Sequence, residues 1–190
     1  MIYLDNNATS MMDPEVAGLM YRLECEGVAN PASQHSPGRK ALRILEDAKT
    51  AILRNLGATV DRMHANQLIL TSGGTEANNL ILRSLCAQRD SLVIIGGMEH
   101  PSLTTAAESP DLCRAHVKLL PGQESGSYDL NRLSEWLEAV YAGHQPYRKV
   151  ALVSLMLANN ETGVLNDLKQ VVSICQKYQV PVHSDIVQAV

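Results

Sequence analysis

The sequence predicts an α/β fold in three layers, a mostly parallel sheet with helices on both faces. Three observations carry that prediction. Strand-like and helix-like stretches alternate between residues 67 and 183. The strand-like stretches, Leu92-Val93-Ile94-Ile95 and Val150 to Leu157 above all, are near-continuously apolar. Strands of that kind are covered on both faces. Polar clusters follow several of them, and ligands in open parallel sheets bind beyond the carboxyl ends of the strands.

The elements follow in order. Asp13-Pro14 reads as a cap and a first-turn proline, opening a short helix towards Glu24. Residues 27–37 are rich in chain breakers and form a loop. A longer helix runs from Pro37 or Gly38 to Leu56, where Gly57 stops it. Ala41, Leu42, Leu45, Ala48, Ile52 and Leu56 recur at helical spacing and give it an inward face. Leu68 to Thr71 reads as a strand, and Ser72-Gly73-Gly74-Thr75 as a tight turn. A helix from Glu76 to Gln88 then buries Leu80, Leu82 and Leu85.

Leu92 to Ile95 is the next strand, and His100-Pro101-Ser102 opens the next helix. Val117 to Leu120 is a strand. Asp129 or Asn131 caps a helix carrying Leu133, Trp136, Leu137 and Val140. Val150 to Leu157 is the strongest strand, Asp167 caps a helix to Tyr178, and Val180 to His183 is the last strand. There is no repeat and no domain linker, since the Gly/Ser-rich stretch at 122–127 is short enough to be a surface loop.

Composition excludes several classes. A net charge of -4 with no polybasic run argues against a nucleic-acid binder. No apolar stretch is long enough to span a membrane, and no secretory signal opens the chain. The four cysteines, Cys25, Cys86, Cys113 and Cys175, are far apart and form no CxxC pair. That disfavours a disulfide scaffold or structural zinc and favours a reduced, cytoplasmic interior. Cys86 and Cys175 fall in helical patterns as buried small hydrophobes.

Four polar clusters follow strands. Ser72-Gly73-Gly74-Thr75 precedes a helix, so its free N–H groups and the Thr75 hydroxyl suit a phosphate. It lacks the lysine of a nucleotide P-loop, and a plain turn with a helix cap explains it equally well. His100, after Glu99, stacks on a planar ring, shuttles a proton, or simply caps its helix. Asn159-Asn160-Glu161-Thr162-Gly163 leaves the strongest strand full of donors and acceptors, suiting a phenolate or carboxylate, or forming an Asx turn. Asp185 leaves a buried strand, where a carboxylate is costly unless it meets a cation or donors. A protonated ring nitrogen would serve, with Gln188 in reach of the same ligand. The alternative is a cap on the following segment. The loops at 5–9 and 30–35 either lie on the surface or fold over the site.

Tyr3-Leu4-Asp5-Asn6-Asn7-Ala8-Thr9, Asn30-Pro31-Ala32-Ser33-Gln34-His35, Thr71-Ser72-Gly73-Gly74-Thr75-Glu76-Ala77-Asn78-Asn79, Glu99-His100, Ala158-Asn159-Asn160-Glu161-Thr162-Gly163 and His183-Ser184-Asp185-Ile186-Val187-Gln188-Ala189-Val190 occur together and in this order. In this the chain resembles the cysteine desulfurases, pyridoxal-phosphate enzymes of the aminotransferase class V group with fold-type I architecture. The resemblance spans the whole chain. It implies that residues 1–14 are an N-terminal segment and 15–190 an incomplete cofactor-binding large domain, the small C-terminal domain being absent. It implies pyridoxal 5'-phosphate as cofactor. Thr75 with Gly74 would bind the phosphate, and His100 would stack on the ring and move protons. Asp185 would pair with the ring nitrogen and Gln188 with the ring hydroxyl. Asn160 would contact the substrate carboxylate or the bound adduct.

The implied reaction removes sulfur from L-cysteine, leaving L-alanine and an enzyme-bound persulfide, in a cytoplasmic homodimer that serves a sulfur-acceptor protein. Ser184 and Ile186 depart from the family's usual residues. The family's cofactor lysine, sulfur-accepting cysteine and substrate-clamping arginine come later than Val190, so the chain reads as a truncation. Rival readings within the group are a selenocysteine lyase and a kynureninase-like or aminotransferase-like enzyme. Outside it stands a non-catalytic homologue acting as a scaffold. The 190-residue chain alone is expected to form no persulfide from L-cysteine. A persulfide assay on the isolated chain checks this, and a positive result would refute it.

Overall fold

The computed structural model describes residues 2–59 and 68–189. Gln67, where the strand-like texture begins, and Val190, the end of the last motif, lie outside the described residues. The chain forms two compact units, Met1–Leu70 and Thr71–Val190.

The first unit holds two helices. Helix α1 is Pro14–Cys25, and the Asp13 side chain accepts from the Glu15 N–H at 2.7 Å. Helix α2 is Ser36–Asn55, where His35 Nδ1 accepts from the Gly38 N–H at 3.2 Å. Gly38 is required by packing, because a Cβ there would lie 2.3 Å from the Ser33 carbonyl oxygen. The expected inward face of α2 is only partly covered. Ala41 is buried, while Leu42, Ile52 and Leu56 stay more than two-fifths exposed. Helical spacing identifies an apolar face, and burial depends on what packs against it.

The second unit carries the sheet. Its elements are α3 (Gly74–Leu85), β1 (Ser91–Gly96), α4 (Pro101–Ala107), β2 (His116–Leu120), α5 (Leu130–Tyr141), β3 (Lys149–Ser154), α6 (Leu168–Gln176) and β4 (Val182–His183). The strands run parallel in the order β2-β1-β3-β4. Three expectations are corrected. Leu68 to Thr71 forms no strand, and Ile69 and Leu70 are exposed. An apolar run becomes a strand only when a neighbour takes its hydrogen bonds. Helix α3 begins at Gly74 rather than Glu76. Of the three leucines expected inside α3 only Leu82 is fully buried, while Leu80 and Leu85 lie about two-fifths exposed on its outer side. Of the two candidate caps of α5, Asp129 and not Asn131 serves, accepting from the Arg132 N–H at 3.0 Å.

Side-chain alternation sorts the strands into two cores. Leu92, Ile94 and Val153 face the cluster under α5 and α6, with Leu133, Leu137, Val171 and Cys175. Val93, Ile95 and Leu152 face the opposite cluster, with Leu82, Cys86, Leu103 and Cys113. Leu92 pairs with Val150 but Val93 pairs with Leu152, so Ala151 is the extra residue of a β-bulge. The bulge puts Ala151 and Leu152 in the same core. β2 is less apolar on its surfaces than expected, with Leu119 half-exposed. The layers are therefore α3 and α4, the sheet, then α5 and α6.

Leu152 is fully buried. Leu152→Ala is expected to cost about 2–5 kcal/mol. Leu119→Ala is expected to change stability by less than about 0.5 kcal/mol. Denaturant unfolding of both variants checks this, and equal losses would contradict the two-layer packing of β3.

Candidate cofactor site

From β1 the chain passes to β2 on one side of the sheet, while β3 and β4 lie on the other. The order reverses between β1 and β3, and ligands of open parallel sheets enter the crevice at such a reversal. Three segments leave the strands there: 97–100 after β1, 155–163 after β3 and 184–188 after β4.

Glu99 ties the first two together. It is 7% exposed, and its Oε1 accepts from the Tyr128 hydroxyl at 2.7 Å and the Met156 N–H at 2.6 Å. Its Oε2 is buried without a hydrogen-bond partner. Burial lifts the Glu99 carboxyl to about 7. The bonds from Tyr128 and Met156 oppose that rise, and the negative charge of Asp185 adds to it. The Tyr128 hydroxyl is pushed up in turn, by burial and then by the Glu99 charge. Gly96 makes room for this pair, because a Cβ there would lie 2.3 Å from the Tyr128 hydroxyl.

Asn159 ties the same segments a second time. Its Nδ2 donates to the Met98 carbonyl at 3.0 Å. Its Oδ1 accepts from the N–H groups of Glu161 and Thr162, both at 2.9 Å. Asn159 is thus the structural member of the Asn-Asn pair. Asn160 follows it, half-buried, with its own interactions.

The third segment joins through Asp185. The Leu157 N–H donates to the Asp185 carbonyl at 3.3 Å, extending the ladder beyond β4. The Asp185 carboxylate is half-buried. Its Oδ1 accepts from the Val187 N–H at 3.1 Å and its Oδ2 from Asn78 Nδ2 at 3.0 Å. Two residues upstream, burial holds the His183 imidazole below its usual range, against the pull of Asp185, while Ser154 Oγ lies 2.8 Å from His183 Nδ1. Gln188 is exposed on the turn that follows.

Asn78 links Asp185 to the other candidates. It is fully buried on α3, three residues beyond Thr75, so the two share a side of the helix. Its Nδ2 also lies 2.9 Å from Ser102 Oγ, and Ser102 Oγ lies 2.8 Å from His100 Nδ1. Helix α3 starts at Gly74 with no side-chain cap, and a Cβ on Gly74 would come within 3.3 Å of Val187. The helix start, the imidazole and the acid therefore meet around one crevice. Of the sequence candidates, Gly74, Thr75, His100 and Asp185 are brought together, and Asn160 and Gln188 sit on the adjoining segments. The loops at 5–9 and 30–35 belong to the first unit.

These residues fit a phosphorylated, cationic ring. Three backbone N–H groups at the uncapped start of α3 have no acceptor within the helix, the usual arrangement for an anion. Around the Gly73 Cβ position there is open space. Each Asp185 oxygen keeps a lone pair beyond its one described bond, and none of the ion pairs among the described residues uses Asp185. Asn78, Ser102, Glu99 and Tyr128 were not singled out from the sequence as site residues. The signal for Asn78 was a buried amide in the turn after Thr75, and for Glu99 a carboxylate wedged between a Gly-Gly turn and a histidine.

Comparison with known proteins follows the same line. Residues 2–190 match the family described as aminotransferase class-V. A cysteine desulfurase of Frankia sp. (strain EuIK1) is 33% identical over 200 residues, taking in 100% of this chain and 44% of that protein. An IscS-like cysteine desulfurase of Mycobacterium tuberculosis is 33% identical over 197 residues, covering 100% of this chain and 47% of that protein. The crystal structure of a NifS-like protein from Rickettsia africae ESF-5 superposes with a TM-score of 0.81 at 34% identity, over 100% of this chain and 48% of that one. The chain thus spans about half the length of the relatives it matches.

The Glu99 carboxyl has a consequence for stability. Between the ordinary carboxyl value of 4.5 and about 7 the folded state holds a proton that the unfolded state has lost. Stability contributed by that proton is present below 4.5 and is lost as pH rises towards 7. The loss is on the order of 3 kcal/mol. His183, held low, acts in the opposite sense at the acid end, so the comparison must be between variants. Glu99→Gln is expected to remove the fall, as read by denaturant unfolding at pH 5, 6, 7 and 8 (about one unit apart). Parallel pH dependence in both proteins would contradict the buried-acid assignment.

Proposed function

The chain belongs to the aminotransferase class-V family, and from that premise we propose that it is the cofactor-binding part of a pyridoxal-phosphate-dependent cysteine desulfurase. The enzyme would take sulfur from L-cysteine, release L-alanine and hold the sulfur as a persulfide. One observation carries the reading: the start of α3, His100 and Asp185 are joined around the crevice at the sheet's reversal point. The identity of about a third to cysteine desulfurases along the whole chain supports the choice of reaction.

When bound, pyridoxal phosphate supplies an electron sink for the substrate's α-carbon. The chain's own residues divide the remaining work. Gly74 and Thr75 would hold the phosphate with the helix N–H groups and a hydroxyl. Asp185 would keep the ring nitrogen protonated, because a carboxylate there favours the charged ring. His100 would lie on the ring face and carry a proton at the imidazole nitrogen that its cap bond leaves open. Gln188 would meet the ring hydroxyl, and Asn160 the substrate carboxylate. We read the complete enzyme as a cytoplasmic homodimer that passes its sulfur to an acceptor protein. No helix among the described residues is long and apolar enough to cross a membrane.

The full-length protein is expected to bind pyridoxal phosphate with yellow absorption, and Asp185→Ala to lose that absorption. Incubation with L-cysteine is expected to give alanine and a protein persulfide in equal amounts. A protein that binds the cofactor but turns over only L-selenocysteine would make it a selenocysteine lyase. One that takes up no cofactor would overturn the reading altogether.

A further inference from the structure

His100 and Asp185 are joined by an unbroken row of hydrogen bonds whose directions the chemistry fixes. The Asp185 carboxylate only accepts, so the Asn78 amide atom 3.0 Å from its Oδ2 must be the nitrogen. That same Nδ2 lies 2.9 Å from Ser102 Oγ. An amide nitrogen carries two hydrogens, one for each neighbour, so Ser102 Oγ accepts here. Its own hydrogen is then left for His100 Nδ1, at 2.8 Å. The Ser102 backbone N–H, which can only donate, reaches the same Nδ1 at 3.1 Å. Two donors on Nδ1 leave no room for a proton there. The neutral ring must carry its hydrogen on Nε2.

We propose that Asn78 and Ser102 are positioning residues of the site, forming a donor chain that runs outward from the Asn78 amide in both directions, to the Asp185 carboxylate and through the Ser102 hydroxyl to His100 Nδ1, where with the Ser102 N–H it holds the imidazole in the Nε2–H form. The proposal rests on the cofactor reading above for its purpose, though not for its geometry. Asn78 is placed to do this because it is fully buried and donates to both sides. A buried amide that served packing alone would have no reason to bridge a carboxylate and the hydroxyl partner of an imidazole. The direction of the chain matters chemically. With Nδ1 occupied, the exposed edge of His100 offers one proton at one atom, Nε2. The same amide holds Asp185 Oδ2 from one side and leaves its remaining lone pair for a cation. Ring-facing imidazole and ring-nitrogen partner are set by a single buried side chain.

Nitrogen-15 NMR of the histidine rings in the full-length protein, with His100 assigned by substitution, tests the chain directly. Near neutral pH the native protein is expected to show Nδ1 as a hydrogen-bonded acceptor and Nε2 protonated. Ser102→Ala, a mild change on an existing helix, removes the hydroxyl donor and leaves the Ser102 N–H, so the Nδ1 resonance is expected to shift part of the way towards that of an unbonded imidazole nitrogen while Nε2 stays protonated. Ser102→Thr, which keeps the hydroxyl, is expected to restore it. In the same protein Asn78→Leu and Ser102→Ala are each expected to lower kcat about 10- to 100-fold, the scale of a misplaced catalytic group. KM should stay within about twofold, and the double variant should be no slower than the slower single one, as members of one unit behave. A protonated Nδ1 in the native protein would overturn the proposal, as would an Nδ1 resonance indifferent to Ser102→Ala. Multiplying losses in the double variant would overturn it too. Uptake of pyridoxal phosphate, followed by its absorption, reports separately on the cofactor reading. Its failure leaves the NMR result to judge the donor chain.

Discussion

The crevice depends on one buried carboxylate. Glu99 receives the Tyr128 hydroxyl and the Met156 N–H on the same oxygen, so one side chain fastens the exits of β1 and β3 and the segment leading into α5. A charged carboxyl so far from water is costly, and each bond it accepts offsets part of that cost. The position of His100 follows from this, because His100 is the next residue and caps α4 from the end of the same turn. Glycine at 96 is part of the arrangement, since any side chain there would occupy the space of the tyrosine. The polar groups at the sheet's reversal point are thus held by a bracket built from behind them.

The plain structural readings and the functional ones turn out to be compatible in most cases. His100 is a helix cap, accepting the Ser102 N–H, and that cap is what leaves the other ring nitrogen facing outward. Asn159 is an Asx-turn residue and a strut to Met98, and Asn160 follows it in the same turn. Asp185 steadies the turn after β4 through the Val187 N–H while keeping acceptor capacity to spare. Local hydrogen bonds of this kind orient side chains whose second polar atom remains available, which is how a rigid site is made from loop residues.

Much of this architecture was legible in the sequence. Apolar runs at 92–95 and 150–157 mark strands covered on both faces, and Asp13, Asp129 and Asp167 announce helix starts that the structure retains. What local pattern could not supply was partnership. Leu68-Ile69-Leu70 has the composition of a strand and no ladder, and α2 has the spacing of a packed helix with much of its apolar face exposed. The boundary between the two units, at Leu70 and Thr71, directly precedes Ser72-Gly73-Gly74, a stretch that reads in the sequence as a turn before a helix and not as a linker. The same limit applies in the site. Thr75, His100 and Asp185 stand out because each follows an apolar, strand-like run in the sequence. Asn78 and Ser102 act through contacts separated by up to 107 positions, and nothing in their immediate neighbours announces such contacts.

The electrostatic shape of the crevice narrows what it can hold. At one end the uncapped start of α3 offers N–H groups and the positive pole of a helix. At the other end the Asp185 carboxylate has donors from Asn78 and Val187 but no cationic neighbour in any ion pair among the described residues. Glu99, close enough for Asp185 to raise its pKa, adds potential negative charge on the same side. A uniformly anionic ligand would suit the first end and be repelled by the second, and a cation would suit only the second. The complement is a rigid molecule with an anion at one tip and a protonated nitrogen across a flat body, which is the charge distribution of a phosphorylated pyridinium. Both ends are tied to one scaffold, because α3 begins with the uncapped N–H groups and carries, one turn on, the Asn78 that donates to Asp185.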